Sequence, residues 1–310
     1  MTALGSAALG AAGIGVGAIA AGGLTWGAVE ARAFTVRQVR VPVLPQGSAP
    51  IRVLHVSDIH LMPSQGAKAR WIRALGELKP DLVVNTGDNL AHPGALPPLL
   101  DALGPLMAVP GAFVYGSNDY YRAVPKNPLT YFRGPTSLRA DPAALPWEEM
   151  TDAFVAAGWR DVRNARATVV VGAAGVDLVG LDDPHIGRDR MPAPQPGGAG
   201  ARVRVGVVHA PYARALAAFR DDGAGIVLAG HTHGGQVCVP GLGALVTNCD
   251  LDRRRAKGLS GWPGARPDAP GGQGSMWLNV SAGIGTSPYA RVRFACRPEA
   301  SLLTLVAVDA

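Results

Sequence analysis

The sequence predicts an α/β fold with its chemistry gathered at one edge of a sheet, and three observations predict it. Short apolar runs of strand length recur along the chain, and helical windows with one apolar face separate several of them. Gly and Pro punctuate the boundaries. Four of the runs lead into Asp or His: VLHVSDIH (Val53–His60), LVVNTGDN (Leu82–Asn89), VRVGVVH (Val203–His209) and IVLAGHTH (Ile226–His233). The C-terminal ends of strands in an open α/β sheet are where ligands bind.

The elements follow in order. Residues 1–30 form an apolar N-terminal helix in this reading. Met1 to Val29 carries no charged side chain, and Leu4, Leu9, Ile14, Val16, Ile19, Leu24 and Trp26 are spread among Ala and Gly. That length suits a single-pass membrane anchor or an uncleaved signal segment. Arg32, Arg37 and Arg40 follow it, which by the positive-inside rule favours a cytoplasmic catalytic domain. Residues 31–50, with Pro42, Pro45 and Pro50, read as a linker or a first edge strand. The main domain is expected over 51–310, long enough for one large core.

Within it, Ala67–Leu78 places Trp71, Ile72, Leu75 and Leu78 on one helical face, and Pro80 stops that helix before a strand at Leu82–Asn85. Leu96–Met107 repeats Leu at helical spacing, with Gly104 and Pro105 expected to end it, and Ala112–Tyr115 reads as a strand. Trp147–Ala157 reads as a helix. Strands are expected at Thr168–Val171, Val176–Leu181, Val203–Val208, Ile226–Leu228, Trp277–Val280 and Leu302–Val308. Segments 121–146 and 184–200 are Pro-rich loops, and 261–275 is expected to be flexible. No internal repeat is found.

Composition narrows the function. A hydrophobic content of 48% supports a packed core, and a net charge of +6 suits anionic substrates or a membrane surface. No basic stripe interleaved with aromatics argues for nucleic acid. No Gly-x-Ser-x-Gly elbow argues for a serine hydrolase. The three cysteines, Cys238, Cys249 and Cys296, match no zinc spacing and read as free thiols.

What remains is the strand-end set of Asp58, His60, Asp88, His209, His231 and His233. Mixed carboxylate and imidazole donors suit Mn, Fe or Zn better than Ca. Six side chains exceed the needs of one catalytic ion, so two metals sharing a carboxylate are expected, a pair suited to in-line displacement by a metal-bound hydroxide. Hydrolysis at phosphorus is the natural reaction.

Asp58-Ile59-His60, Gly87-Asp88-Asn89, Gly116-Ser117-Asn118-Asp119, His209 and Gly230-His231-Thr232-His233 resemble, in order and spacing, the five blocks of calcineurin-like metallophosphoesterases. GHTHGGQ and the later NVSAGIGTSPYARVRF are most similar to the membrane-associated bacterial branch of that family. The resemblance covers about residues 50–310. It implies a four-layer α-β-β-α sandwich of two mixed sheets flanked by helices. It also implies two divalent or trivalent ions (Mn, Fe or Zn): Asp58, His60 and His233 on one, Asp88 bridging, and His209, His231 and a third-block amide on the other.

The third block departs from the family, which shows Gly-Asn-His-Asp or Gly-Asn-His-Glu there. Aligned without a gap, Ser117 takes the Asn place and Asn118 the His place; a one-residue adjustment lets Asn118 be the ligand, as its neutral oxygen donor favours. The family histidine, a leaving-group acid, is absent, and such an acid is worth about 10²- to 10⁴-fold in rate. Tyr120, Tyr121, His92 and His185 are candidates to replace it. Asp88 and Asn118 are the expected catalytic residues. Asn89, Ser117, His92 and Asp183 are expected to touch substrate or orient ligands, and Asp182 lies beside the last of these. His55 reads as a satisfied core histidine, Arg253–Arg255 as a solvated face, and Arg291 and Arg293 as phosphate contacts or surface residues.

The expected function is hydrolysis of a phosphodiester, or of a lipid or envelope phosphoester, at a membrane. A catalytically weakened, metal-bearing binding module is the alternative.

Overall fold

A computed structural model describes residues 21–125, 143–172, 174–195 and 201–308. Helix α1 spans 21–30. Strands β1 (Thr35–Leu44) and β2 (Ile51–Val56) follow, then α2 (Gly66–Ala74), β3 (Leu82–Asn85), α3 (Leu96–Met107), β4 (Gly111–Phe113) and α4 (Ser117–Tyr120). Next come α5 (Trp147–Ala156), β5 (Arg160–Asp161), β6 (Ala165–Val171), β7 (Ala174–Gly180), β8 (Ala201–Val208), α6 (Ala213–Asp221) and β9 (Ile226–Ala229). The hairpin β10 (Cys238–Val239) and β11 (Gly243–Ala244), then β12 (Gly258–Trp262), β13 (Met276–Val280) and β14 (Glu299–Ala307), complete the order.

Two six-stranded mixed sheets form, β1-β14-β2-β3-β4-β5 and β12-β13-β9-β8-β7-β6. Strand alternation fixes how they stack. Ile51, Val53, Leu82 and Val84 of the first sheet share one buried cluster with Val205, Val207, Ile226 and Leu228 of the second. The opposite faces bury elsewhere: Leu54, Val56 and Val83 pack with Leu99, Leu103 and Phe154 of α3 and α5. Val227 and Ala229 pack with Leu216 and Phe219 of α6. The result is the expected four-layer α-β-β-α sandwich.

The 31–50 segment, read as a linker or a first edge strand, supplies the edge strand β1, which pairs parallel with β14 from Thr35↔Glu299 onward. Pro42 is compatible with that place because an edge strand leaves one side of its backbone unpaired. One boundary differs from the sequence reading: helix α3 runs past Pro105 to Met107. Pro105 cannot donate to the Asp101 carbonyl, and Arg73 Nη1 does so instead at 2.6 Å.

Of the expected anchor, residues 1–20 lie outside the described residues. Among those described, no helix is long and apolar enough to cross a membrane. Helix α1 is tied to the domain: Gly27 O accepts from Arg293 N, and the Glu30 carboxylate accepts from Ala295 N and Cys296 N. The 261–275 segment is pinned at its start, where Arg255 donates to the carbonyls of Gly261, Pro263 and Gly264, so Arg255 serves as a loop anchor beyond a solvated face. All three cysteines are free thiols.

Candidate metal centre

Parallel pairing of β2, β3 and β4 in one sheet, and of β7, β8, β9 and β13 in the other, sets their C-terminal ends in register. The loops that leave those ends carry the candidate ligands. Backbone bonds knit the loops together: Asp58 N donates to Gly87 O, His60 N to Asp88 O, and Gly230 N to His209 O.

Asp58, His60 and His233 form one group whose donor atoms lie within 4.8 Å of one another; Asp58, Asp88 and His209 form a second. Asp58 is common to both. Asp88 Oδ2 also stands between the halves, 3.4 Å from His60 Nε2 and 3.6 Å from His209 Nε2. The resemblance implied one bridging carboxylate, Asp88; two carboxylates occupy the junction. His231 Nδ1 adjoins the second group, 3.4 Å from His209 Nε2. Asn118 reaches the centre through its amide, 2.7 Å from Asp88 Oδ2, and its backbone N–H bonds Asp88 Oδ1. Ser117 instead opens α4 and gives its carbonyl to Tyr121 N.

The donor set fits divalent cations. His60 Nε2 faces His233 Nε2 at 3.2 Å, so two ring nitrogens converge on one point. Burial holds His60 down to about 4 and lowers His231 and His233 well below the usual imidazole range, leaving neutral rings with lone pairs for a metal. Burial and the neighbouring Asp88 charge push Asp58 up to about 6. At His209 burial works downward, but Asp88, Asp183 and Asp58 override it and raise the ring to about 9. His209 Nδ1 bonds the Thr86 carbonyl at 2.8 Å, which turns Nε2 toward Asp88.

The backbone is strained where these side chains converge. Asp58, His60, Asp88, His231 and His233 all have positive φ, between 42° and 70°. Such conformations are costly for residues with a Cβ and persist only when the surroundings hold them. Glycines make the room. A Cβ on Gly116 would meet Asp88 Oδ1 and His209 Nε2, and one on Gly230 would meet Ser57 Oγ and Asp58 Oδ2.

The remaining candidates fall in varied places. Asn89 is buried and bonds Asn85 and Asp119. Asp183 is fully buried: its Oδ1 accepts from His185 N, and burial pushes it up to about 7. His92 caps the turn at Pro93–Ala95, its Nδ1 accepting from Gly94 N. Tyr120 donates to Asp182 Oδ1. His185 packs its ring 4.6 Å from that of His231 and bonds Tyr212 through Nδ1. His55 is buried between Thr86 and Asn279.

Four supporting residues escaped the sequence reading. Asp119 accepts from the backbone N–H of Asp88, Asn89 and Gly116. Ser57 Oγ donates to Asp58 Oδ2 at 2.6 Å. Lys68 donates to the carbonyls of Ile59 and His60, and burial lowers its amine to about 7. Arg293, read as a phosphate contact or surface residue, is fully buried and donates to the carbonyls of Ala282, Gly285 and His233. Only Asp119 had a signal, as the fourth residue of the third block.

Residues 51–235 match the calcineurin-like phosphoesterase family, and the chain belongs to it. It is a hydrolase of phosphoesters. It is 26% identical over 280 residues to Phosphodiesterase YaeI of Escherichia coli, covering 88% of each chain. It is 25% identical over 284 residues to the uncharacterized metallophosphoesterase YkuE of Bacillus subtilis, covering 87% of this chain and 84% of that one. It is also 29% identical over 210 residues to a transmembrane protein with metallophosphoesterase domain of Danio rerio, covering 65% of this chain and 45% of that one.

Proposed function

We propose that the chain hydrolyses phosphodiesters at a two-metal centre. The observation that carries this is the pair of adjoining ligand groups joined at Asp58, with Asp88 Oδ2 standing between His60 and His209. In this reading Asp58, His60 and His233 would hold one ion, and His209, His231 and the Asn118 amide would hold the other, with Asp88 lying between the two groups. Bound ions would polarise the phosphoryl oxygens and make water a competent nucleophile at neutral pH.

The protein's own part is to fix geometry. Asp119 and Ser57 hold Asp88 and Asp58, Thr86 and Arg293 orient His209 and His233, and the αL turns aim all of them at one point. With Asn118 taken as a ligand, the third block holds no acid in place of the family histidine, so esters whose leaving group departs with little proton assistance are favoured. The diester reading rests on a relative at 26% identity that is named a phosphodiesterase. His185, against the His231 ring, is better placed to meet a substrate than Tyr120 or His92.

Purified protein supplied with Mn is expected to hydrolyse a bis-aryl phosphodiester, and Asp88→Ala to abolish turnover while keeping its fold by circular dichroism. Equal rates for the two proteins would sink the proposal. The same lack of an acid in the third block favours a second reading, a metal-bearing binding module with weak turnover. Stoichiometric metal without turnover across diesters and monoesters would favour it.

A further inference from the structure

The described residues leave ten large apolar side chains exposed, and seven of them gather on three adjoining segments. Helix α1 offers Trp26 and Val29, which lie about 60° apart round the helix, while Leu24 is exposed on its other side. The β10–β11 hairpin offers Val239 and Leu242, the latter 71% exposed beside the turn. The loop before β14 offers Tyr289 and Phe294.

These segments are bonded into one surface. Arg293 N donates to Gly27 O of α1; Cys238 N donates to Phe294 O; Phe294 N donates to Gln236 O. The surface also borders the metal centre. Residues His233–Gly235 lead into the hairpin, and Arg293, beside Phe294, bonds the His233 carbonyl.

Its charge is one-sided. Arg32, Arg291 and Arg297 are exposed around the apolar residues. Beyond the hairpin the charge is mixed, with Asp250, Asp252 and Arg253 all exposed. The acid of α1, Glu30, is buried and held by the amides of Ala295 and Cys296. Residues 1–20, which lead into α1, contain no charged side chain. Clustered exposed apolar surface rimmed by polar groups marks an interaction site. Apolar residues ringed by arginines suit the interface of an anionic bilayer, where the former enter the headgroup boundary and the latter meet lipid phosphates.

We propose that α1, the β10–β11 hairpin and the 289–294 loop form one docking face for an anionic lipid bilayer, with the His233 side of the metal centre at its margin. This docking is independent of the reaction performed. It is peripheral and asks for no helix across the membrane.

The test is sedimentation of the full chain with vesicles of phosphatidylglycerol and phosphatidylcholine, and with phosphatidylcholine alone. Wild type is expected to bind the anionic vesicles more tightly. Leu242→Glu and Phe294→Ser are each expected to weaken that binding by about tenfold or more, and Arg291→Glu by about fivefold. Val170→Glu, at an exposed apolar residue of β6, is expected to bind as wild type does. Melting curves would establish that each variant folds. The proposal is overturned if wild type binds neither vesicle, or if Leu242→Glu and Phe294→Ser bind like Val170→Glu. It is also overturned if these variants instead dissolve a dimer that forms without lipid.

Discussion

Asp119 holds Asp88 through the main chain. Its Oδ2 accepts from Asp88 N at 2.6 Å and from Gly116 N at 3.0 Å, while Oδ1 accepts from Asn89 N at 2.7 Å. One buried carboxylate thereby ties the β3 loop, which carries Asp88, to the β4 loop, which carries Asn118. Asp119→Asn keeps the shape but turns an amide N–H₂ toward backbone N–H donors. It is expected to cost about 1–3 kcal/mol in denaturant unfolding. Metal affinity, read by titration calorimetry, should fall by about 10- to 100-fold, because Asp88 loses its support. Wild-type metal affinity in Asp119→Asn would refute the positioning role.

Gly116 and Gly230 matter because no Cβ fits beside the carboxylates. In Gly230→Ala the new methyl would run into Ser57 Oγ and Asp58 Oδ2. Both belong to fully buried residues that cannot move into solvent. Overpacking of this kind costs about 1–3 kcal/mol. Thermal melting should show that loss, and metal analysis should show a reduced occupancy. Gly223→Ala is a useful contrast: it has positive φ, 81°, and open space, so it should lose stability through backbone strain while retaining metal.

Much of this site was legible because its ligands sit where apolar runs stop. Val53–Val56, Leu82–Asn85 and Ile226–Ala229 announce buried strands, and the next few residues carry Asp58, Asp88 and His231. What was hidden depends on long-range pairing. β1 could be read as either a linker or an edge strand because Pro42 interrupts it and because its partner β14 lies more than two hundred residues away. Arg293 resembled a surface residue because the carbonyls of 282–285 that surround it come from a different turn. His92, near Asp88 in sequence, bonds forward to Gly94 and so serves its own turn. A spacing pattern reports which residues share a loop, but not which way each side chain turns.

The third block offers a gain-of-function test. In Ser117→Asn/Asn118→His the chain would carry Gly-Asn-His-Asp, the family arrangement. The added imidazole is expected to raise turnover of alkyl esters, which need a proton on the leaving oxygen, by about 10²- to 10⁴-fold. Turnover of nitrophenyl diesters should change little. A plot of rate against leaving-group pKa is the measurement, and the variant's slope should be flatter. An unchanged slope with metal retained would mean that another residue already supplies the proton.

His55 sets a pH limit on the fold. It is fully buried, with Nε2 2.9 Å from Thr86 Oγ1 and Nδ1 3.1 Å from Asn279 Nδ2. Burial pushes the ring down from its usual 6.5 to about 3. The folded chain therefore keeps it neutral where the unfolded chain takes a proton. Its stabilisation is complete above about pH 6.5 and is lost as pH falls through that window toward 3, by about 1.4 kcal/mol for each unit. His55→Gln can still bond Thr86 and cannot take up the proton. Urea unfolding of both proteins from about pH 8 to 4 should show the variant less stable at the alkaline end. Its slope below about pH 6 should be shallower by about 1.4 kcal/mol per unit. Parallel curves would show that His55 is already protonated in the fold, or that another group carries the acid limb.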